Sequence, residues 1–292
     1  MPVQRILNGH PKDLGGGFIV RRILPSAKRQ AVGPFLFFDH FGPVTVEPEA
    51  GHDVRPHPHI GLATVTYLLE GAITHRDSLG YVQDIEPGAI NWMTSGRGIV
   101  HSERRPARLR SRSYVNHGFQ LWAALPQSAE EVEPSFVHTP AADIPSLEVQ
   151  GAKVRVLVGE AFDTRSPVAT FSQTVYLDVM LPAGGHWSLP ALAPELAVYP
   201  IDGDITVDGQ IVAACSLAVL EPGQPAELSA SAAVRLLVLG GEPLGHRFMW
   251  WNFVSSSKER IAQAAQDWQA QRIGQVPGET ELIPLPELKL PG

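Results

Sequence analysis

Two pairs of ligand-type side chains, each spaced by two, carry the chemistry that can be read from this chain. His57 and His59 lie in RPHPHIGLATVTYLLEG, at the mouth of a run that reads as a β-strand. Residues two apart on a strand project to one face, so both imidazoles aim at one point while Pro58 faces away. A proline there fits the first residues of a strand, where no ladder hydrogen bond is lost. GRGIVHSE repeats the geometry: His101 and Glu103 are two apart and follow Gly96 and Gly98, which suit a tight approach of the chain. Three imidazoles and one carboxylate can thus converge from two neighbouring strands. That nitrogen and oxygen set suits non-haem Fe(II), Mn(II), Ni(II) or catalytic Zn(II) rather than a structural thiolate site. Four protein ligands leave about two positions of an octahedral ion open, enough for water, dioxygen or a substrate oxygen.

The elements that must position these groups are strands. ATVTYLL, AITHR, YVQDI, GAINWM, YVNHGFQLWAAL, KVRVLVG, TVYLDVML, LAVYPI, DITVDG, CSLAVLE and VRLLVLGG are short, rich in Val, Ile, Thr and aromatics, and separated by Gly, Pro, Asp or Ser. The 292 residues, 44% hydrophobic and 18% charged, suffice for a sizeable core. A single cysteine, Cys215, excludes an internal disulfide framework and a cysteine-rich zinc module; in AACSLAVLEPG it reads as a buried strand residue. No apolar run reaches the ~18 residues of a membrane span, and MPVQRILNGHPKDLGGG lacks the apolar core of a signal peptide, so a cytoplasmic protein is expected. The net charge of -7 argues against direct nucleic-acid binding, despite the local cluster Arg104, Arg105, Arg108, Arg110 and Arg112.

An internal repeat divides the chain. LEGAIT followed by IEPGA, from Leu69 to Ala89, has its counterpart in IDGDIT followed by LEPGQ, from Ile201 to Gln224. Two similar β-barrels account for it, an N-terminal one over 1–135 carrying the metal site and a C-terminal one over 136–292. The second ends in an amphipathic helix: SSSKERIAQAAQDWQAQ offers Ser256 as N-cap with Glu259 three residues on, and Ile261, Ala264, Ala265 and Trp268 at helical spacing to pack on the protein's own barrel. The remaining histidines, His10, His40, His52, His75, His117, His138, His186 and His246, lack a partner at ligand spacing and read as surface or hydrogen-bonded core groups. Trp92, Met93 and the segment from Phe35 to Phe41 read as barrel packing rather than as the wall of a ligand cavity.

HPHIGLATVTYLLEGAITHRDSLG, PGAINWMTSGRGIVHSE, the early PFLFFDHFGP and the late WNFVSSSKERIAQAAQDW resemble the pirin family, in the right order and over nearly the whole chain. The resemblance implies an all-β cupin fold of two stacked barrels, a bicupin, with iron in the N-terminal barrel held by His57, His59, His101 and Glu103 and no metal in the other. The wider cupin pattern has a glutamate four or five residues after its second histidine; here Ala63 and Thr64 stand there, so Glu103 supplies the carboxylate. In the second barrel, counting by spacing from the repeat glycines lands on Leu189, Ala191, Leu236 and Val238, all apolar. For function the resemblance implies a quercetin 2,3-dioxygenase-type enzyme, a quercetinase acting on a flavonol or related enol with Fe(II) as cofactor and Glu103 as general base. The alternative is an iron-dependent redox sensor that binds transcription factors or metabolic enzymes. A monomer is expected in either case.

Overall fold

The computed structural model describes residues 3–14, 18–48, 50–51 and 53–287; His52 lies outside them. The β-rich runs form antiparallel sheets, and the chain divides into two compact units. One is built on His40–Ala141 and also takes in Pro11–Val20 and Gly245–Gly292; the other is built on Ala142–Leu244 and takes in Met1–His10 and Arg21–Asp39. The division therefore differs from a single cut at residue 135. Strand Val3–Asn8 pairs antiparallel with Ser216–Leu220, with Leu7 opposite Leu217, so the start of the chain edges the second unit. The C-terminal helix, expected to finish the second barrel, belongs instead to the first unit. Long-range pairing decides both exchanges, and the spacing of residues along the chain carries no trace of it.

In the first unit a four-stranded sheet runs in the order Val54–His59, Ile99–Arg104, Ile73–Asp77, Val82–Ile85. Facing it, four consecutive strands of the larger sheet run Ser135–Thr139, Ile90–Thr94, Leu62–Glu70, Tyr114–Ala124. One end of the space between them is closed by an apolar cluster of Phe18, Val20, Phe41, Leu68, Ile85 and Ala89. Trp92 and Met93 are both buried, as are Phe35, Phe37, Phe38 and Phe41. Alternation sends Met93 toward the smaller sheet and Trp92 to the opposite face.

The second unit repeats this plan. Its four-stranded sheet runs His186–Leu189, Ala226–Ser229, Ile205–Val207, Gln210–Val212, the same order of connections as in the first. The partner of the His186–Leu189 strand is thus Ala226–Ser229, and counting by spacing falls one strand late when it reaches Leu236 and Val238. At the equivalent places Trp187 lies opposite Leu228 and Leu189 opposite Ala226. All four are buried in one apolar cluster, in which Leu236 and Val238 also lie. These positions offer no lone-pair donor where the first unit offers imidazole.

The C-terminal helix, Lys258–Gln269, buries Ile261, Ala264, Ala265 and Trp268 as its spacing predicts, against Ile60, Val100, Trp250 and Phe253. Its cap is Ser257 rather than Ser256: the Ser257 hydroxyl accepts the Arg260 N–H and donates to Glu259. Ser256 is engaged elsewhere, donating both its backbone N–H and its hydroxyl to the buried carboxylate of Glu130 at 3.0 Å. Cys215 likewise departs from the strand expected. It sits partly buried in the turn before Ser216–Leu220, with a left-handed φ of 60°, its thiol 3.4 Å from the Ile201 carbonyl. Among the described residues no helix is long and apolar enough to cross a membrane.

Candidate metal centre

Strand register brings the ligand-type residues together. His101 lies opposite His57 on one side and Asp77 on the other, and Glu103 lies opposite His75. Alternation then puts His57, His59, His101, Glu103, His75 and Asp77 on one face of the four-stranded sheet. A register shift between His101 and Glu103, against the Val54–His59 strand, marks a β-bulge beside the site, where such irregularities re-aim side chains. The turn that launches the Ile99–Arg104 strand depends on Gly96: at its φ of +47° a Cβ would fall 1.9 Å from the Val132 carbonyl oxygen.

One nitrogen from each of His57, His59 and His101 lies within 4.8 Å of the others. The rings are 4.4 to 5.0 Å apart between centroids and only 7%, 1% and 1% exposed. Burial pushes the His57 imidazole down to about 4 and holds those of His59 and His101 well below the usual histidine range, the neighbouring rings adding to the effect. Near neutral pH all three are uncharged, so each has one nitrogen lone pair to give.

Hydrogen bonds say which nitrogen that is. His57 Nδ1 lies 2.8 Å from the Arg55 carbonyl oxygen and His59 Nδ1 lies 3.2 Å from that of Asn252. A carbonyl only accepts, so both Nδ1 atoms carry the hydrogen and both Nε2 atoms carry the lone pair. For His101 the arrangement has one more member. Asp77 accepts N–H bonds from Leu79 and Tyr81 at one oxygen, at 2.9 and 3.1 Å, and faces His75 Nε2 at 2.8 Å with the other. His75 Nε2 therefore donates, and its Nδ1 is the nitrogen left to accept from His101 Nδ1 at 3.4 Å. His101 Nε2 is then a buried nitrogen with a lone pair, and it has no hydrogen-bond partner among the described residues. Three Nε2 lone pairs converging with none of them otherwise used fit a divalent metal ion, and the outer contacts are those that orient metal-bound histidines.

Glu103 is not part of that three-nitrogen group. It lies on the same face and is only partly exposed, and desolvation pushes its carboxyl up to about 7. No hydrogen bond or ion pair among the described residues reaches that carboxyl. Aromatics of the facing sheet pack against one candidate ligand and against the outer histidine, Trp122 edge-on to His59 at 5.0 Å and Phe136 stacked on His75 at 4.1 Å.

Residues 17–123 match the Pirin family and residues 176–274 match the Pirin C-terminal cupin domain. A pirin-like protein of Caulobacter vibrioides is 46% identical over 290 residues, covering 98% of this chain and all of its own. The chain belongs to the pirin family. Among solved structures, quercetin 2,3-dioxygenase from Acinetobacter baumannii superposes with a TM-score of 0.90 at 35% identity, covering 98% of this pirin and 95% of its own chain. The Escherichia coli pirin YhhW in complex with nickel(II) shares the fold, with a TM-score of 0.65 at 18% identity over 82% of this chain and 99% of its own.

Sequence reasoning passed over His75 and Asp77. AITHRD does hold them two apart at the end of a strand, the same alternate spacing as the other pairs. The remaining histidines among the described residues are surface or bonded core groups: His10, His186 and His246 are exposed, His40 and His117 share a buried 2.9 Å contact between Nε2 atoms, and His138 bonds Asn91. Two of the five clustered arginines are ion-paired in place, and a third is bonded to backbone. Arg104 pairs with Glu279, Arg108 with Glu86, and Arg105 donates to the Glu47 and Ala50 carbonyls.

Proposed function

We infer that this pirin is a metal-dependent dioxygenase of the quercetin 2,3-dioxygenase type, acting in the cytoplasm as a monomer on a flavonol or related enol. The observation that carries the reading is the convergence of three uncharged imidazoles, each with Nδ1 occupied by an acceptor, beside a carboxyl that has no partner among the described residues. His57, His59 and His101 would hold the ion through Nε2, and Glu103 would be the fourth ligand. Fe(II) suits this set, as do Mn(II), Ni(II) and Zn(II). A divalent ion bound there supplies Lewis acidity and, if it is iron, one-electron redox chemistry.

The chain's own residues supply the rest. With its carboxyl pushed up to about 7, Glu103 is poised to take the proton of an enolic hydroxyl near neutral pH. Trp122 packs edge-on against His59, and Phe136 stacks on His75, the ring that backs His101. The similarity to the Acinetobacter baumannii enzyme supports the substrate class.

The depth of the site favours a second reading. Ligand imidazoles 1 to 7% exposed suit an ion whose oxidation state, rather than turnover, is what the protein reports to a partner such as a transcription factor or metabolic enzyme. Anaerobic loading with Fe(II), followed by oxygen uptake with and without quercetin in wild type and Glu103→Ala, separates the two. Uptake that requires quercetin, iron and Glu103 is the expected result. No uptake with iron demonstrably bound would overturn the enzymatic reading and leave the redox-responsive one.

A further inference from the structure

The wall facing the metal centre carries a polar row that the packing of a barrel does not require. Across four strands Gln120 lies opposite Thr66, Thr66 opposite Asn91, and Asn91 opposite His138. The adjacent row, two residues along each strand, is Trp122, Thr64, Met93 and Phe136. Trp122 and Phe136 touch His59 and His75, so both rows face the sheet that carries the candidate metal ligands. Two residues of strand set the polar row about 7 Å from the row that meets the ligands.

Four polar side chains abreast on an inward face cost stability unless their hydrogen-bonding groups are used. Here they are half used. Thr66 donates to the Gln120 carbonyl at 2.8 Å, and His138 Nδ1 donates to the Asn91 carbonyl at 2.7 Å. The amide nitrogens of Gln120 and Asn91 and Nε2 of His138 meet no partner among the described residues. Gln120 and His138, at the two ends of the row, are also partly exposed although they point inward. The row thus holds out N–H donors and a ring-nitrogen acceptor, the complement of hydroxyl groups, which both accept and donate.

We propose that Gln120, Thr66, Asn91 and His138 form a distal subsite that reads the hydroxyl groups of a substrate ring about one ring-length from its metal-chelating oxygens. The inference rests on the dioxygenase reading above and narrows it, from enols in general to polyhydroxylated aromatic enols. Quercetin meets the requirement, because its pendant ring carries two hydroxyls beyond the 3-hydroxy-4-keto pair. 3-Hydroxyflavone keeps the chelating pair and lacks them. A site built around hydroxyl partners rejects an analogue without them, since its own polar groups are then left unpaired.

The test is anaerobic titration of the Fe(II)-loaded protein with quercetin and with 3-hydroxyflavone, followed by quenching of tryptophan fluorescence. Quercetin should bind at least about tenfold more tightly, the worth of one or two such hydrogen bonds. Asn91→Leu and Gln120→Leu should collapse that preference while iron content stays stoichiometric. Equal binding of the two flavonols by the wild type, or a preference that survives both substitutions, overturns the subsite and leaves the dioxygenase reading standing. Binding of neither flavonol overturns the flavonol reading and the subsite together.

Discussion

Asp77→Asn should weaken metal binding although Asp77 does not touch the metal. The carboxylate receives three N–H groups, those of Leu79 and Tyr81 at one oxygen and His75 Nε2 at the other. In the asparagine variant the side-chain carbonyl can keep the two backbone donors, which turns the amide NH2 toward His75 Nε2. That nitrogen must then accept, and the His75 hydrogen moves to Nδ1, facing His101 Nδ1. His101 Nδ1 must accept in turn, and its hydrogen moves to Nε2, where the metal would bind. One oxygen-to-nitrogen exchange thus reverses the tautomer of two rings and blocks one of three donors. Outer partners of this kind are worth about 10- to 100-fold in metal affinity, roughly 1.4 to 2.7 kcal/mol. The assay is competition for Fe(II) or Co(II) against a chromogenic chelator, with the Co(II) absorption spectrum reporting ligand number. His75→Phe keeps the stacking on Phe136 and removes the acceptor for His101, so it should show a loss of similar size. Affinity and spectrum unchanged in Asp77→Asn would refute the hydrogen-bond chain.

His101→Ala removes the donor whose Nε2 has no other use, and elemental analysis after Fe(II) loading should find most of the metal gone; stoichiometric iron would sink the ligand assignment. Fe(II) at about a hundred times its dissociation constant should stabilise the wild type by about 2.7 kcal/mol in anaerobic denaturant unfolding, and the same concentration should leave His101→Ala unmoved. Ser257→Ala should cost about 1 kcal/mol through loss of the cap bond to Arg260; a loss confined to Ser256→Ala would return the cap to the neighbouring serine. Trp268→Ala, which empties a buried site and frees the Ile283 carbonyl, should cost about 3 to 5 kcal/mol, read from the urea midpoint.

The parts of this molecule legible in the sequence are those that depend on near neighbours along the chain. Alternation put His57 with His59 and His101 with Glu103, and helical spacing picked out Ile261, Ala264, Ala265 and Trp268, because each follows from the repeat of one element. What escaped depends on which strand lies beside which. His75 was passed over because its importance comes from lying opposite Glu103 and against His101, a relation made by register. Spacing reached Leu236 and Val238 because it cannot show that Ala226–Ser229 takes the place of the Ile99–Arg104 strand. The exchange of termini is of the same kind, and it matters to the site. The carbonyl that fixes His59 belongs to Asn252, nearly two hundred residues away in sequence, and Ser102, between His101 and Glu103, donates to Glu279 at 2.6 Å. The Ile283 N–H likewise binds the Pro56 carbonyl beside His57. Both ligand-bearing strands are therefore held by the last fifty residues of the chain. A fragment ending at residue 135 would keep all four ligand-type side chains and lose the partners that aim them, so the candidate metal site belongs to a unit that the contiguous N-terminal half does not contain.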